Sequence, residues 1–300
     1  MRIPTPTSPH IEGTSVEDSA SGPQTVVPRV SAWRSHLIRA ANIIGFGVLV
    51  ILIWQFVWEV QLISRWVLPS PGATGVDIWD TVTNVVTGGF VFNESLYTLS
   101  ELLIGFAVAA VGGLVLGIIV GETRFGNEVL MPYLVVINAM PRIALAPVFV
   151  AWLGFGIAPK VLLAALIAFF PMIINTALGI RSCTAEEVLL FRSMEARRWQ
   201  TVMRLKIPTA LPNIFAGFRT AIVLAVHGAI VGEFMGGGLH GVGLLITAAA
   251  EQLDVARVFA LIVLLSALGL ALYGLIVWAE RRIVHWRPGG SAGGAGRGVR

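Results

Sequence analysis

Long apolar stretches alternate with short polar ones through most of this 300-residue chain. A helix needs about 20 mostly apolar residues to cross a lipid bilayer. Stretches that meet this requirement lie at residues 38–58, 97–121, 130–152, 161–180, 213–235 and 257–279. The pattern therefore predicts an all-α membrane protein with six transmembrane helices, which form one domain over residues 37–287.

The two ends of the chain lack this pattern. Much of the segment 1–36 is rich in Ser, Thr and Pro and shows no helical periodicity, so we predict a disordered N-terminal tail there. The segment 288–300 is rich in glycine, and we expect a flexible C-terminal tail.

Composition and charge agree with a membrane protein. Hydrophobic residues make up 56% of the chain and charged ones only 13%, whereas about a quarter of the residues in soluble domains are charged. Cytoplasmic loops of membrane proteins carry an excess of Lys and Arg. With both termini cytoplasmic, nearly all cations fall inside, and the outer loops hold only Arg65, Lys160 and Arg257. We therefore predict that both termini are cytoplasmic.

Small residues recur every four positions in two of the spans. The second span carries Gly105, Ala109, Gly113, Gly117 and Gly121, and the fifth carries Gly217, Ala221, Ala225 and Ala229. This spacing keeps the small residues nearly on one face of a helix, where a neighbouring backbone can approach closely. We expect both stripes to be packing surfaces.

The third span contains two prolines, Pro141 and Pro147, which are predicted to kink it. Such breaks are tolerated in a membrane where the freed backbone groups face protein or a wet cavity. The third span is therefore a candidate for lining a solute pathway. Arg142, beside the first proline, is a candidate to attract an anionic solute.

Ionisable side chains inside spans are costly and often functional. Glu233 is followed by glycines and is predicted to shape an outer gate or loop. His227 lies at mid-span, where packing and binding of a solute are both open roles. Glu101 lies about one turn from the outer surface with no partner identified. Arg219 is near the inner end, where a structural role with its charge in the headgroups is favoured.

The polar break between the fourth and fifth spans, residues 184–212, is named the polar loop below. Thr184 and Glu187 have the spacing of a capping box, which predicts a helix start directly after the fourth span. A second amphipathic helix is expected over 196–206, ended by Pro208 and Pro212. Such a helix fits either an anionic lipid surface or the groove of a soluble partner.

Several segments resemble the permeases of ABC importers, and more narrowly those of the nitrate/sulfonate/taurine type. In the polar loop and the next span they are Arg192-Ser193-Met194, Arg198-Trp199-Gln200, Ile207-Pro208-Thr209-Ala210-Leu211-Pro212 and Gly217-Phe218-Arg219. Elsewhere they are Thr98-Leu99 with Gly105-Phe106, Met140-Pro141-Arg142 with Ala146-Pro147, Trp152-Leu153-Gly154, Gly232-Glu233-Phe234, Gly241-Val242-Gly243 and Glu280-Arg281-Arg282. The resemblance covers about residues 37–287 in order.

This resemblance implies a type I ABC-importer permease fold with a cytoplasmic coupling helix, in a bacterial inner membrane. It also implies a second permease copy, cytoplasmic ATPase subunits that carry the ATP and Mg²⁺, and an extracytoplasmic solute-binding protein. The implied solutes are nitrate, a sulfonate such as taurine, bicarbonate or a thiamine-precursor pyrimidine. Docking to the ATPase is carried over to Arg192, Ser193, Met194, Glu195, Ala196, Arg197, Arg198 and Trp199.

The polar loop departs from the family at three positions. A glycine is usual where this chain has Glu195, and small residues are usual where it has Leu190 and Phe191. Glutamate is a poorer fit than glycine at a position that requires positive φ.

Other functions are less compatible with the sequence. Neither lysine, Lys160 or Lys206, follows a glycine, so no phosphate-binding loop is present and ATP hydrolysis must come from another subunit. We identify no catalytic set, no metal-ligand pair and no nucleic-acid partner, and expect this chain to bind no cofactor itself. The alternative function is an ion-coupled secondary transporter with an acid–histidine proton relay through Glu101, His227 and Glu233.

Overall fold

A computed structural model describes residues 32–64, 67–236, 238 and 240–285, and these are helical or lie in turns and loops, without a β-strand. The helices are α1 (Ala32–Glu59), α2 (Pro71–Val86), α3 (Phe90–Glu122), α4 (Met131–Ala139), α5 (Ala146–Leu153), α6 (Ile157–Ile180), α7 (Ala185–Ser193), α8 (Arg198–Thr201), α9 (Ile207–Met235), α10 (Val242–Glu251) and α11 (Val255–Ile283). The chain divides into two compact units within α1, and the sites discussed below all lie in the second, Ile53–Arg300.

Five of these helical segments are long and apolar enough to cross a membrane, and the pair Gly126–Ala139 and Arg142–Leu153 passes the same test together, with an 80° bend at the break. Counted as one broken span, this pair gives the six predicted spans. Because α1 begins at Ala32, residues 32–36 are helical, and their assignment to a disordered tail is wrong. The remainder of that tail and the segment 288–300 lie outside the described residues.

The core of the second unit is formed by α3, α6 and α9, which pack closely along their small-residue faces. A Cβ atom added at Gly105 would lie 2.7 Å from the Cβ of Ala164, and one at Gly121 would lie 2.9 Å from the Cβ of Ile180. Ala221 and Ala225 on α9 are fully buried. Both predicted packing stripes are confirmed, since only small side chains allow these backbones to approach so closely.

The third span is broken at a single point. Met140 is extended, as a residue before proline prefers, and Pro141 separates α4 from a short 3₁₀ turn, Arg142–Leu145. The predicted kink at Pro147 is wrong. Pro147 lies in the first turn of α5, where an N–H group has no partner within the helix and its absence costs nothing.

The helix α2 begins at Pro71, and the Ala73 N–H donates to Ser70 Oγ at 3.0 Å. Ser70 followed by proline is a helix start, because the serine caps the first turn and proline needs no partner for an N–H group there.

Candidate functional site

The polar loop begins with the predicted capping box. The Thr184 N–H donates to Glu187 Oε2 at 2.9 Å, and the Glu187 N–H donates to Thr184 Oγ1 at 3.3 Å. These reciprocal bonds satisfy two donors that the first turn of a helix leaves without partners. They start α7 within a few residues of the end of α6 at Ile180.

The joint after α7 is a Schellman motif with glutamate in the left-handed position. The Glu195 N–H donates to the Arg192 carbonyl at 2.9 Å, and the Ala196 N–H donates to the Phe191 carbonyl at 3.0 Å. Glu195 has φ of 57°. This position usually holds glycine, because a Cβ atom makes the conformation costly by roughly 1–2 kcal/mol. The chain thus keeps a glycine-type turn without the glycine.

The second helix of the polar loop does not stop at the prolines. The short helix α8 passes into a π turn, Val202–Lys206, and then into α9, so helical structure continues from Arg198 to Met235 over 38 residues. The predicted end at Pro208 and Pro212 is therefore wrong.

Two features explain how the helix passes these prolines. The wide π turn, closed by the Ile207 N–H to the Val202 carbonyl, stands directly before Pro208 and shifts the hydrogen-bond ladder where proline lacks a donor. Pro212 lies inside α9, and packed neighbouring helices allow a proline within a membrane helix.

An ion pair holds the polar loop against the end of α3, where Lys206 Nζ lies 2.5 Å from Glu122 Oε2. Just before the loop, the Arg181 guanidinium at the end of α6 donates to Asn127 Oδ1 in the π turn before α4. The loop is therefore attached to the membrane part by an ionic contact, next to a polar contact between the ends of two spans.

The outward surface of the polar loop is rich in apolar side chains. Trp199 is 59% exposed, Met194 69% and Leu190 60%. Arg192, Arg197 and Arg198 are also exposed, among the eight residues predicted to dock the ATPase. A cavity of about 910 Å³ between the loop and the end of α3 is lined in part by arginines. Exposed apolar side chains of this kind mark interaction surfaces.

The pathway candidate Arg142 is held against α6. Its Nη1 donates to the Ile167 carbonyl at 2.9 Å, and its guanidinium carbon lies 5.5 Å from the centre of the Phe170 ring. Pro141 lies at the break of the third span and Pro147 within α5. The structure thus places Arg142 against α6.

His227 lies in a different place from the two acids with which a relay was considered. Its Nδ1 lies 2.7 Å from the Val223 carbonyl, one turn earlier on α9. It lines an apolar groove of about 660 Å³ together with Ser266 and Tyr273 of α11. Arg219 pairs with Glu280 at 3.3 Å, which agrees with the structural role favoured for it.

A group of six side chains at the far end of α9, all buried except His240, is named the carboxylate cluster. Its members are Glu94, Thr98, Glu101, Lys160, Glu233 and His240. The three acids and Lys160 are each at most 3% exposed. The cluster joins α3, α6 and α9 to the loop that precedes α10.

Backbone donors at the N-terminal end of α10, from Gly241 to Gly243, are held by the acids and by Thr98. Glu94 Oε2 accepts the Gly241 N–H at 2.6 Å, and Glu233 Oε2 accepts the Gly243 N–H. Thr98 Oγ1 accepts the Val242 N–H at 2.8 Å and donates to Glu233 Oε1 at 2.6 Å. The predicted role of Glu233 in shaping an outer loop fits this placement, while its role in gating stays a prediction.

Lys160 does not lie in an outer loop as predicted. It belongs to the first turn of α6, and its Nζ donates to Glu101 Oε1 and to the His240 carbonyl, each at 2.9 Å. Glu101 thus has the partner that sequence reasoning did not find. One signal was available, since Glu94, Thr98 and Glu101 follow at helical spacing and share one face of α3.

No set of three or more His, Cys, Asp or Glu side chains that could hold a metal ion occurs within the described part of the chain. The acids of the carboxylate cluster are instead paired with the Lys160 ammonium, the Thr98 hydroxyl and backbone N–H groups.

A family model described as "Binding-protein-dependent transport system inner membrane component" matches residues 113–285. The chain is 36% identical to the riboflavin transport system permease protein RibX of Chloroflexus aurantiacus, over 87% of this chain and 96% of that protein. It is 33% identical to the putative aliphatic sulfonates transport permease protein SsuC of Bacillus subtilis, over 79% and 84% of the two chains.

A third relative is the formylaminopyrimidine transport permease protein ThiX of Halalkalibacterium halodurans, 34% identical over 79% of this chain and 93% of that protein. Among solved structures, the inward-facing MetNI methionine ABC transporter matches with a TM-score of 0.51 and 19% identity, over 63% of this chain and 92% of that chain. This likeness confirms the predicted fold.

Proposed function

This chain belongs to the binding-protein-dependent transport system inner membrane components, the permease subunits of ABC importers, and we propose that it forms the translocation path for a small solute. Permeases of this kind are not enzymes, and ATP hydrolysis belongs to a separate subunit. In our proposal ATP and Mg²⁺ bind only to that subunit, and this chain binds no cofactor.

The continuous helix from Arg198 to Met235 is the observation that carries this proposal. At 1.5 Å per residue, 38 residues span about 57 Å. One end bears the exposed surface of the polar loop, and the other reaches Glu233 in the carboxylate cluster. A displacement of the polar loop therefore reaches the opposite end of the membrane part through one helix, without a flexible joint between them.

We assign the ATPase-docking surface to Arg192, Ser193, Met194, Glu195, Ala196, Arg197, Arg198 and Trp199. A partner can shift a two-state protein only through contacts that differ between the two states. ATP-driven closure of the ATPase around this surface supplies such contacts, and the long helix transmits the change. The further partners are a solute-binding protein on the outer side, a second copy of the chain and membrane lipid.

Both termini and the polar loop lie in the cytoplasm in this proposal, because that orientation places most Lys and Arg residues inside a bacterial inner membrane. The solute is either an anion such as nitrate, a sulfonate or bicarbonate, or a pyrimidine or flavin of the kinds named for the relatives. Pro141, Arg142, Pro147, His227 and Glu233 are the candidates for the pathway and its gates.

The docking surface is tested by changing Arg198 and Trp199 together to alanine. We expect loss of ATPase co-purification and loss of ATP-driven uptake in proteoliposomes that contain the binding protein. The matched control changes Arg282 and Trp278, a stacked pair at the end of α11 that lies outside the polar loop. Normal co-purification and uptake in the first variant would contradict the assignment.

The rival function is an ion-coupled carrier that uses Glu101, His227 and Glu233. In the structure His227 lines a groove beside α11, whereas the two acids lie in the carboxylate cluster. Uptake into vesicles that have a proton gradient but no ATP distinguishes the two functions. Our proposal requires that such vesicles take up no solute.

A further inference from the structure

We propose that the carboxylate cluster binds one proton, shared between Glu101 and Glu233, and that this proton holds the start of α10 onto the ends of α3, α6 and α9. The inference rests on the fold and on the cluster's geometry, and does not depend on the solute or on the ATPase-docking surface. The ligand of this site is a proton taken from the aqueous phase.

The first observation is an imbalance of buried charge. The elements that meet here contribute Glu94 and Glu101 from α3, Lys160 from α6, Glu233 from α9 and His240 from the loop. Three carboxylates thus face one ammonium and one imidazole. His240 is half exposed and lies 3.1 Å from Glu94, so its charge, when present, is directed to that acid.

The second observation is a buried oxygen that lacks a partner. Glu101 Oε1 receives the Lys160 ammonium, but Oε2 has no hydrogen-bond partner among the described residues, although Glu101 is only 3% exposed. An unsatisfied buried oxygen destabilises the folded state, and more strongly when the group is charged.

A single proton resolves both problems. Glu101 lies one turn after Thr98 on the same face of α3, and Thr98 donates to Glu233 Oε1 at 2.6 Å, so the two carboxyl groups are neighbours in the buried cluster. Neighbouring carboxylates in a buried site do not both stay ionised, and sharing one proton turns their repulsion into a hydrogen bond. The proton then lies between Glu101 Oε2 and a carboxyl oxygen of Glu233, which gives Oε2 its partner. Lys160 continues to neutralise the remaining charge of the pair.

This proton also governs how firmly the start of α10 is held. Glu233 accepts the Thr98 hydroxyl and the Gly243 N–H, and Thr98 in turn accepts the Val242 N–H. When the pair loses its proton, two neighbouring carboxylates repel, and Glu233 is the member bonded to α10. The held state is therefore favoured at low pH and weakened when the pair loses its proton as pH rises.

The test is infrared difference spectroscopy of the full-length permease, assembled with its ATPase in lipid nanodiscs, between pH 6 and pH 10. We expect the wild-type protein to lose the carbonyl band of a protonated carboxylic acid as pH rises. Glu101→Gln and Glu233→Gln should both lack this band, because the new amide donates to the remaining carboxylate and leaves it ionised. Glu59→Gln, a change of an exposed acid outside the cluster, should retain the band.

Three results would overturn the inference. One is a wild-type protein without the band at any pH. Another is a band that persists in both cluster variants. The third is a band removed at constant pH by sodium, which would identify a metal-cation site instead. The wild-type titration needs no variant to fold, and a failure of ATP-driven uptake would leave the infrared result unchanged.

Discussion

The polar loop and the carboxylate cluster lie at opposite ends of one long helix and are built in opposite ways. The loop exposes Trp199, Met194 and Leu190 and is ordered by local caps and one ion pair with the end of α3. The cluster buries its charges and assigns nearly every one of them a partner within the chain. An exposed apolar surface needs another molecule to cover it, whereas a satisfied buried network fixes one arrangement of the chain.

The largest effect is expected from removing the ammonium at the centre of the cluster. Lys160→Met should leave Glu101 buried without its cation and destabilise the permease by about 3–5 kcal/mol. Thermal unfolding of the purified protein measures this loss. The double change Lys160→Met with Glu101→Met should recover much of it, because no unpaired charge then remains. Equal stability of the single variant and the wild type would show that the cluster is not held by this pair.

The next effect concerns the packing of the long helix that joins the two regions. A Cβ atom at Gly228 would lie 2.6 Å from the backbone Cα of Ala164, so Gly228→Ala should force α9 away from α6 at a cost of about 1–3 kcal/mol. Gly274→Ala is the matched control, since nothing lies within 4 Å of its added Cβ. That change should stabilise α11 by about 0.5–1 kcal/mol, and thermal unfolding of both variants checks the difference.

These two regions also differ in how much the sequence could predict. Helical periodicity and length were sufficient for the six spans, and residue spacing for the capping box at Thr184 and the small-residue stripes. Those features depend on local chemistry or on a repeated pattern along one element. Lys160 was assigned to an outer loop because its partner Glu101 lies 59 positions away, and no local signal joins them.

The prolines also show what the sequence pattern cannot predict. Proline predicts a break wherever its missing donor cannot be compensated, and at Pro141 this prediction holds. At Pro208 the preceding π turn compensates for the donor, and at Pro147 the helix starts just before it. Whether a proline ends a helix therefore depends on hydrogen bonds that the sequence pattern does not specify.

A smaller effect should come from the joint of the polar loop. Glu195→Gly removes a Cβ atom from a left-handed position and should stabilise the turn by about 1 kcal/mol. Hydrogen exchange of the amides at Glu195 and Ala196 measures the gain. Glu195→Ala is the control, because alanine retains the Cβ atom and should give no comparable slowing. Equal protection in both variants would assign the effect to the lost charge instead.

The smallest effect is expected at Asp77, a partly exposed acid of α2 that belongs neither to the polar loop nor to the carboxylate cluster. Partial burial, followed by the nearby charges of Asp254 and Asp80, raises the pKa of Asp77 above its ordinary value. The folded state therefore binds a proton at Asp77 more readily than the unfolded state does. The contact of α2 with the start of α11 should strengthen as pH falls through the raised pKa and weaken as pH rises. Asp77→Asn should abolish this pH dependence, and hydrogen exchange of the α2 amides between pH 4 and pH 7 measures the change. The pH response of the carboxylate cluster should stay as in the wild type. A variant that keeps the wild-type pH dependence would place the titrating group elsewhere on the outer surface.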